Sequence, residues 1–426
     1  MNSRSHWPVT LLSGASAMIN MLLPLVLVRL LRVDEVGDYK IFFLYLMILP
    51  DLCFSSGLMN GLSYWAGRKE TGLAAIRATH LLALGVAISV VLFCLLFDGV
   101  IQSVLPQIHY PSLFALAAGG ALLARFYEET NIALGYTWKG ALFHSVGEAI
   151  RAFSILIVAL ISHSFLAVLV THTVVSLSKS CIGYVLLYAQ GLLSLPLERE
   201  VWNQVLRYSF PVALAGVFSF LVAHIDQLLL SYALTPEDFA IYAIGCLVVP
   251  PLLILEHSVT RVCIPVLSSA LEEDDKREAQ VLYRNAIEQI AFLVIPAVCG
   301  LVLFAEPIIT LLFTDRYVAA VPYLKIFAFS YLALLVPYDA VARAEGDSKW
   351  ILSTFVRFGV LALFLGLTLV GLFGPMGALS ALLLSQFGLR VYGLQYAAKR
   401  LGCTLWKLLP SRPILRMLGV SLVLSL

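Results

Sequence analysis

Apolar runs long enough to cross a membrane follow one another along almost the whole chain, with little polar sequence between them. A spanning helix needs about 20 apolar residues. Runs of that kind are read at 8–29, 38–66, 76–99, 111–136, 141–161, 164–190, 207–231, 239–266, 285–313, 320–343, 350–371 and 376–396. Twelve helices take up most of the 426 residues and leave no room for a large soluble domain. Composition excludes the other classes. The chain is 60% hydrophobic and 13% charged, against roughly 45–50% and about 25% in soluble domains. Disorder needs the opposite balance. The expected fold class is an all-α, polytopic membrane protein.

Arg4 precedes the first apolar run, and Ala15-Ser16-Ala17 looks like a leader cleavage site. The run continues to Val28, however, and a signal peptide's apolar region is only about 7–15 residues long. An uncleaved first helix is expected. The net charge of +2 gives no case for nucleic acid. The seven cysteines are odd in number, form no C-x-x-C pair and sit mostly in apolar runs, so neither a disulfide framework nor a metal site is expected.

Lysine and arginine set the direction of insertion, because they are enriched in cytoplasmic loops. The N-terminus and every second loop after it carry 17 of the 28 basic residues; the alternate loops carry 5, and 6 lie within helices. This asymmetry predicts a cytoplasmic N-terminus and supports the count of twelve helices, because one missed helix would scramble the alternation. Residues 413–426 are apolar but too short to span. Residues 401–426 therefore read as a cytoplasmic tail or an incomplete thirteenth helix.

An internal repeat divides the rest. Leu31-Arg32-Val33-Asp34-Glu35-Val36-Gly37-Asp38-Tyr39 resembles Leu234-Thr235-Pro236-Glu237-Asp238-Phe239-Ala240-Ile241-Tyr242, at an offset of 203 residues. Each stretch follows the first helix of a six-helix half, and its acids sit where a helix N-terminus favours negative charge. A six-helix shift preserves orientation, so the expected lobes, 1–200 and 201–400, form a parallel repeat. Such repeats occur in transporters that alternate access around a site between the halves. Pro50 in the second helix and Pro250-Pro251 in the eighth interrupt corresponding helices, and are read as hinges.

Fourteen charged residues, six basic and eight acidic, are read as buried within the predicted helices. Each would cost at least about 2.5–3.5 kcal/mol facing lipid, so they must face one another or water. Glu148 with Arg151, and Arg125 with Glu128 and Glu129, have the spacing of ion pairs along one helix face. Asp51, Asp226, Glu256, His257 and Arg261 have weaker local partners and lie near the interrupted helices. A carboxylate there could carry H+ or Na+, and an arginine could hold a phosphate by two parallel bonds. Nucleotide-binding and hydrolase signatures are missing from the sequence, including G-x-x-x-x-G-K-[ST], H-E-x-x-H and G-x-S-x-G. The expectation is a transporter with no cofactor, and not an enzyme.

Several motifs carry a family likeness. They are Leu25-Val26-Leu27-Val28-Arg29-Leu30-Leu31, Glu35-Val36-Gly37-Asp38-Tyr39, Asp226-Gln227-Leu228-Leu229-Leu230 and Pro265-Val266-Leu267-Ser268. Further along come Leu311-Leu312-Phe313 with Tyr317, Ala320 and Val321-Pro322, then Gly346-Asp347-Ser348-Lys349 and Gly374-Pro375-Met376-Gly377-Ala378. In order and spacing the chain resembles the Wzx-type O-antigen and polysaccharide flippases of the multidrug/oligosaccharidyl-lipid/polysaccharide exporter superfamily. Thr314 departs from the glycine common at that position. The resemblance implies a two-lobed bundle in the bacterial inner membrane. The implied cargo is an undecaprenyl-diphosphate-linked oligosaccharide, moved from the cytoplasmic to the periplasmic leaflet by alternating access with cation antiport. The implied partners are that lipid and the polysaccharide polymerase machinery. Arg261, Arg151, Lys179 and His257 are the candidates for binding diphosphate and sugar; Asp51, Asp226 and Glu256 are the candidates for cation coupling. The alternatives are a multidrug or small-molecule antiporter of the same superfamily, a membrane glycosyltransferase or polymerase acting on the same lipid, and a lipid II flippase, whose chains resemble a longer, fourteen-helix relative.

The orientation has a direct check. In a cysteine-depleted background, Lys139→Cys should react with a membrane-impermeant maleimide in inverted vesicles and stay unlabelled in intact spheroplasts. The reverse pattern would overturn a cytoplasmic N-terminus.

Overall fold

A computed structural model of the chain describes residues 7–52, 55–66, 72–193 and 199–424. Every regular element among them is helical. That is the outcome expected of chain immersed in lipid, where backbone N–H and C=O groups find no water and a helix satisfies them within its own segment. Eight helical segments among the described residues are long and apolar enough to cross a membrane.

The N-terminal part runs α1 (Trp7–Leu30), α2 (Val33–Leu52), α3 (Ser55–Ala66), α4 (Gly72–Leu96), α5 (Asp98–Val104), α6 (Pro111–Ala133), α7 (Thr137–Ser162) and α8 (Phe165–Ala189). Then follow α9 (Arg199–Ala233), α10 (Pro236–Gly245), α11 (Pro250–Glu272), α12 (Lys276–Leu303) and α13 (Ala305–Phe313). A 3-10 turn over Asp315–Ala320, α14 (Val321–Phe327), a 3-10 stretch over Ala328–Leu335 and α15 (Ala340–Ala344) lead to α16 (Ser348–Arg400), α17 (Leu405–Leu408) and α18 (Ser411–Leu424). Two compact units result. One comprises Met1–Val217 with Leu234–Ala240, the other Phe218–Ala233 with Ile241–Leu426.

In the first unit α6 packs against α3, α4, α7 and α8. Its sequence explains why: Ala115, Ala117, Ala118, Gly119 and Gly120 are buried and small. Small residues let helix backbones approach closely in lipid, where no hydrophobic drive favours association. Gly120 lies against the backbone of Ser176 and Leu177 in α8, and the Ser180 hydroxyl donates to the Gly120 carbonyl. Gly37, in the first copy of the repeat, meets Pro236, in the second, so closely that a Cβ would overlap the proline's backbone. Both copies also cap their helices. Glu35 accepts from the Arg32 N–H at 3.1 Å. Thr235 accepts from the Asp238 N–H at 3.2 Å and donates to its carboxylate at 2.8 Å, a reciprocal capping arrangement.

In the second unit α11 and α12 pack side by side, and α18 lies along α12. Leu267, Tyr283, Ile287, Ala397, Leu401 and Leu408 form one buried cluster there. The 14-residue α18 extends about 21 Å, less than the roughly 30 Å of a hydrocarbon core.

Several helices are interrupted where continuous spans were expected. The expected helix 239–266 is divided by the segment between α10 and α11, and Pro250 and Pro251 open α11 instead of bending it. Proline suits that position because its missing N–H would be unpaired in a first turn. The Tyr331 hydroxyl bridges the break, donating to the Leu247 carbonyl at 2.6 Å and accepting from the Val249 N–H at 2.8 Å. The expected span 285–313 ends at Leu303 and resumes as α13, and 320–343 is a patchwork of α and 3-10 turns around Pro322 and Pro337. The helices expected at 350–371 and 376–396 are the two arms of α16: the chain reverses at Gly374, with φ 55° and ψ −136°, so that Arg357 donates to the Tyr392 hydroxyl at 2.7 Å and Trp350 stacks on the Tyr392 ring. α9 kinks at His224. Pro50 and Asp51 fall in the last turn of α2, and their side chains lie outside the described residues.

Close glycine contacts yield a prediction. Gly37→Val should cost about 3 kcal/mol or more through overpacking, lowering the midpoint for thermal loss of the monodisperse peak in detergent. Gly85→Ala, which meets nothing within 4 Å, should leave that midpoint unchanged or raise it.

Candidate functional site

The strongest concentration of polar groups in the first unit is built on α7. Glu148 and Arg151 stand three residues apart on one face, and the Glu148 carboxylate accepts from Arg151 Nε at 3.1 Å and Nη2 at 2.7 Å. α1 contributes Asn20, whose amide donates to the same carboxylate at 3.2 Å and accepts from Arg151. One amide thus serves both ions, which fixes its orientation. α8 contributes Lys179, with Nζ 3.4 Å from Glu148 Oε1. Its stem lies over Gly147, where a Cβ would fall 2.6 Å from Lys179 Cε. Glycine at that place is what lets the lysine cross the α7 backbone.

The surroundings are aromatic. The Arg151 guanidinium sits 6.0 Å from the Phe43 ring centre, and Lys179 Nζ sits 5.7 Å from that of Phe143. His172 of α8 meets Phe42 and Phe43 edge-on. The side chains of Arg151, Glu148 and Lys179 are only 12%, 16% and 12% exposed. Two cations therefore share one carboxylate in a half-dry place. Such a set has a net positive charge and can accept an anion with two or more oxygens.

The second unit holds two further clusters. Glu256 of α11 is buried, with Oε1 3.6 Å from Arg390 Nη1 and Oε2 3.5 Å from His257 Nδ1. Arg390 of α16 also donates to the Val336 carbonyl at 2.8 Å and lies 4.5 Å from the Tyr338 ring centre. It borders a cavity of about 230 Å³ with Ser330, Tyr331, Tyr338 and Gln386. Asp226 of α9 is 1% exposed and accepts from the Tyr242 hydroxyl at 2.7 Å. His224 Nδ1 at the nearby kink is buried without a hydrogen-bond partner among the described residues.

The sequence-based candidates divide accordingly. Arg151 and Lys179 are brought together around Glu148. Glu256 turns inward to Arg390, while His257 and Arg261 occupy the exposed side of α11. Arg261 makes no ion pair among the described residues. The expected pairing of Arg125 with Glu128 is replaced: Glu128 takes His144 of α7 at 2.8 Å, and Arg125 is exposed. The partner that Glu128 takes stands on the neighbouring helix α7, which spacing along one helix does not reveal. Sequence reasoning passed over Asn20, Glu148 as a site residue, and Arg390. The one signal for Glu148 is its spacing from Arg151; Arg390 shows its role only once α16 is laid against α11.

Comparison with known proteins adds the following. A family model described as polysaccharide biosynthesis protein matches residues 26–322. The teichuronic acid biosynthesis protein TuaB of Bacillus subtilis (strain 168) is 30% identical over 153 residues, covering 34% of this chain and 30% of that one. The chain thus matches under a third of that relative's length. Among solved structures, the lipid II flippase MurJ in an inward closed conformation superposes with a TM-score of 0.74 at 13% identity, covering 98% of this chain and 91% of the other. An inward-facing multidrug resistance MATE family transporter of the MOP superfamily gives 0.70 at 14% identity, covering 91% and 94%. A MOP superfamily transporter from Pyrococcus furiosus gives 0.62 at 14%, covering 93% and 94%. At these identities the likeness is one of fold.

The α7 cluster can be probed by stability. Glu148→Ala leaves two cations without their counter-charge and should cost about 3 kcal/mol. Adding Arg151→Met should return part of that loss. An unchanged thermal midpoint for Glu148→Ala would mean that water already screens the cluster.

Proposed function

Because the chain belongs to the polysaccharide biosynthesis protein family, the Wzx-type family its motifs resemble, we propose that it is a flippase for a lipid-linked oligosaccharide. In this reading an undecaprenyl-diphosphate-linked repeat unit, of O-antigen or another surface polysaccharide, moves from the cytoplasmic to the periplasmic leaflet of the bacterial inner membrane. Twelve spans in two six-helix lobes, with a cytoplasmic N-terminus, would alternate access around it.

The observation that carries the reading is the Arg151–Lys179 pair sharing Glu148. A diphosphate can be held by the planar fork of an arginine and the mobile point charge of a lysine, and this cluster provides one of each. Glu148 holds both cations in place while no cargo is bound, and its carboxylate is the group an incoming diphosphate would displace. An excess of positive charge suits an anionic lipid better than the cationic drugs of the antiporter alternative. The acids of the second unit fit cation coupling. Protonation of Glu256 would release Arg390, and protonation of Asp226 would weaken its bond from Tyr242; Asp51 is the third candidate. The coupling ion is then H+ or Na+, with no other cofactor, and the polymerase machinery would take the flipped product.

Deletion of the gene should leave lipid-linked oligosaccharide facing the cytoplasm, measured by its protection from a glycosidase or lectin applied to intact spheroplasts. Complementation with Arg151→Gln or Lys179→Gln should recover less than about a tenth of the wild-type flux, and Arg151→Lys an intermediate amount. Normal surface exposure of the lipid in the deletion strain would sink the flippase reading. Full activity of both glutamine variants would sink the assignment of the diphosphate site.

A further inference from the structure

A trough of about 570 Å³ runs between α7 and α8, and it shares Phe143, Gly147 and Lys179 with the surroundings of the α7 cluster. Leu142, Val146 and Ile150 form its wall on α7, recurring at the four-residue spacing that places side chains on one helix face. Ile182 stands on the α8 side, and all four are exposed. Apolar residues exposed to lipid are ordinary. What sets this surface apart is its concavity and the lysines at two depths, Lys139 and Lys179.

Lys139 lies in the first turn of α7, at the membrane-surface end, with Nζ 4.9 Å from the Tyr136 ring centre. From there to Ile150 is about 16 Å of helix, half the roughly 30 Å of a hydrocarbon core. The trough therefore starts at the headgroup level and follows one leaflet to its midplane. Lys179 forms part of the wall opposite Gly147, yet its ammonium turns toward Glu148. The same side chain is a wall of the trough and a member of the cluster assigned to the diphosphate.

We infer that this trough docks the phosphate-bearing isoprenoid chain of the carrier lipid, with the phosphate at Lys139 and the chain along Leu142, Val146 and Ile150. The inference rests on the proposed cargo and adds a loading site for it. A lysine at the surface end and an apolar floor below match a lipid with one anionic head. A single trough between two neighbouring helices takes one chain, as a polyprenyl phosphate offers, and not the two chains of a glycerophospholipid. From this position the lipid head has Lys179 ahead of it, against Gly147 and about 12 Å further along α7.

The test uses the full-length protein in proteoliposomes of phosphatidylethanolamine and phosphatidylglycerol, with a polyprenyl phosphate carrying a photoreactive diazirine on its chain. Crosslinks mapped by mass spectrometry should fall within 142–150 and 175–182 and be competed by unlabelled polyprenyl phosphate. Lys139→Glu should reduce labelling about tenfold, Lys139→Arg should retain it, and Val146→Trp, which fills the trough, should abolish it. Each variant is first checked for a wild-type elution profile in detergent. Equal competition by added phosphatidylglycerol, or labelling indifferent to Lys139→Glu and Val146→Trp, would overturn the inference. The readout needs no transport. Labelling in the trough by a protein that flips no oligosaccharide would reject the flippase reading alone; flipping without labelling there would reject the trough alone.

Discussion

Every peptide group inside a bilayer has to find its hydrogen-bond partner within the protein, and the architecture of this chain follows from that demand. It makes each apolar run a helix and makes each interruption an event that needs a remedy. The remedies differ from place to place. At the α10–α11 break a side chain supplies them, since the Tyr331 hydroxyl serves a carbonyl on one side and an N–H on the other. Pro250 opens the next helix, where no N–H is missed. At Gly374 the backbone turns through a positive φ that a side chain would resist, and Pro375 begins the following segment.

The same scarcity of solvent governs charge. Ions within the helices gather in small sets that balance nearly but not fully: Glu148 with two cations, Glu256 with Arg390 and His257, Asp226 with a phenol. Breaking a buried pair is costly, while a pair's net contribution to stability is small. Sets of this kind are therefore poor fasteners, and their retention in helices otherwise so apolar points to chemistry. The imbalance has opposite sense in the two units. The first carries surplus positive charge at α7, and the second holds buried carboxylates with few partners.

Much of this was legible in the sequence, and the reasons for success and failure are physical. The all-helical class follows from run length alone, because hydropathy over some twenty residues averages out local detail. The spacing of Glu148 and Arg151 announced their pairing, since three residues is nearly a full turn. The same rule failed for Arg125, because Glu128 found His144 on a neighbouring helix. Contacts such as Asn20 with Glu148 or Glu256 with Arg390 span well over a hundred residues of chain, and no periodicity encodes them. The 3-10 stretches around 315–335 escaped for another reason: apolar sequence says that the segment is buried in lipid or protein, but how tightly it is wound depends on Pro322, Pro337 and the helices it packs against.

The bridging hydroxyl of Tyr331 has a mechanical meaning. A joint held by a donor and an acceptor on one rigid ring resists bending in either direction, because rotation that relaxes one bond stretches the other. The bend at His224 has no such bridge among the described residues: its Nδ1 is buried there without a hydrogen-bond partner. Compliance within the second unit is thus unevenly distributed, stiff where the sequence shows two prolines and soft where it shows none.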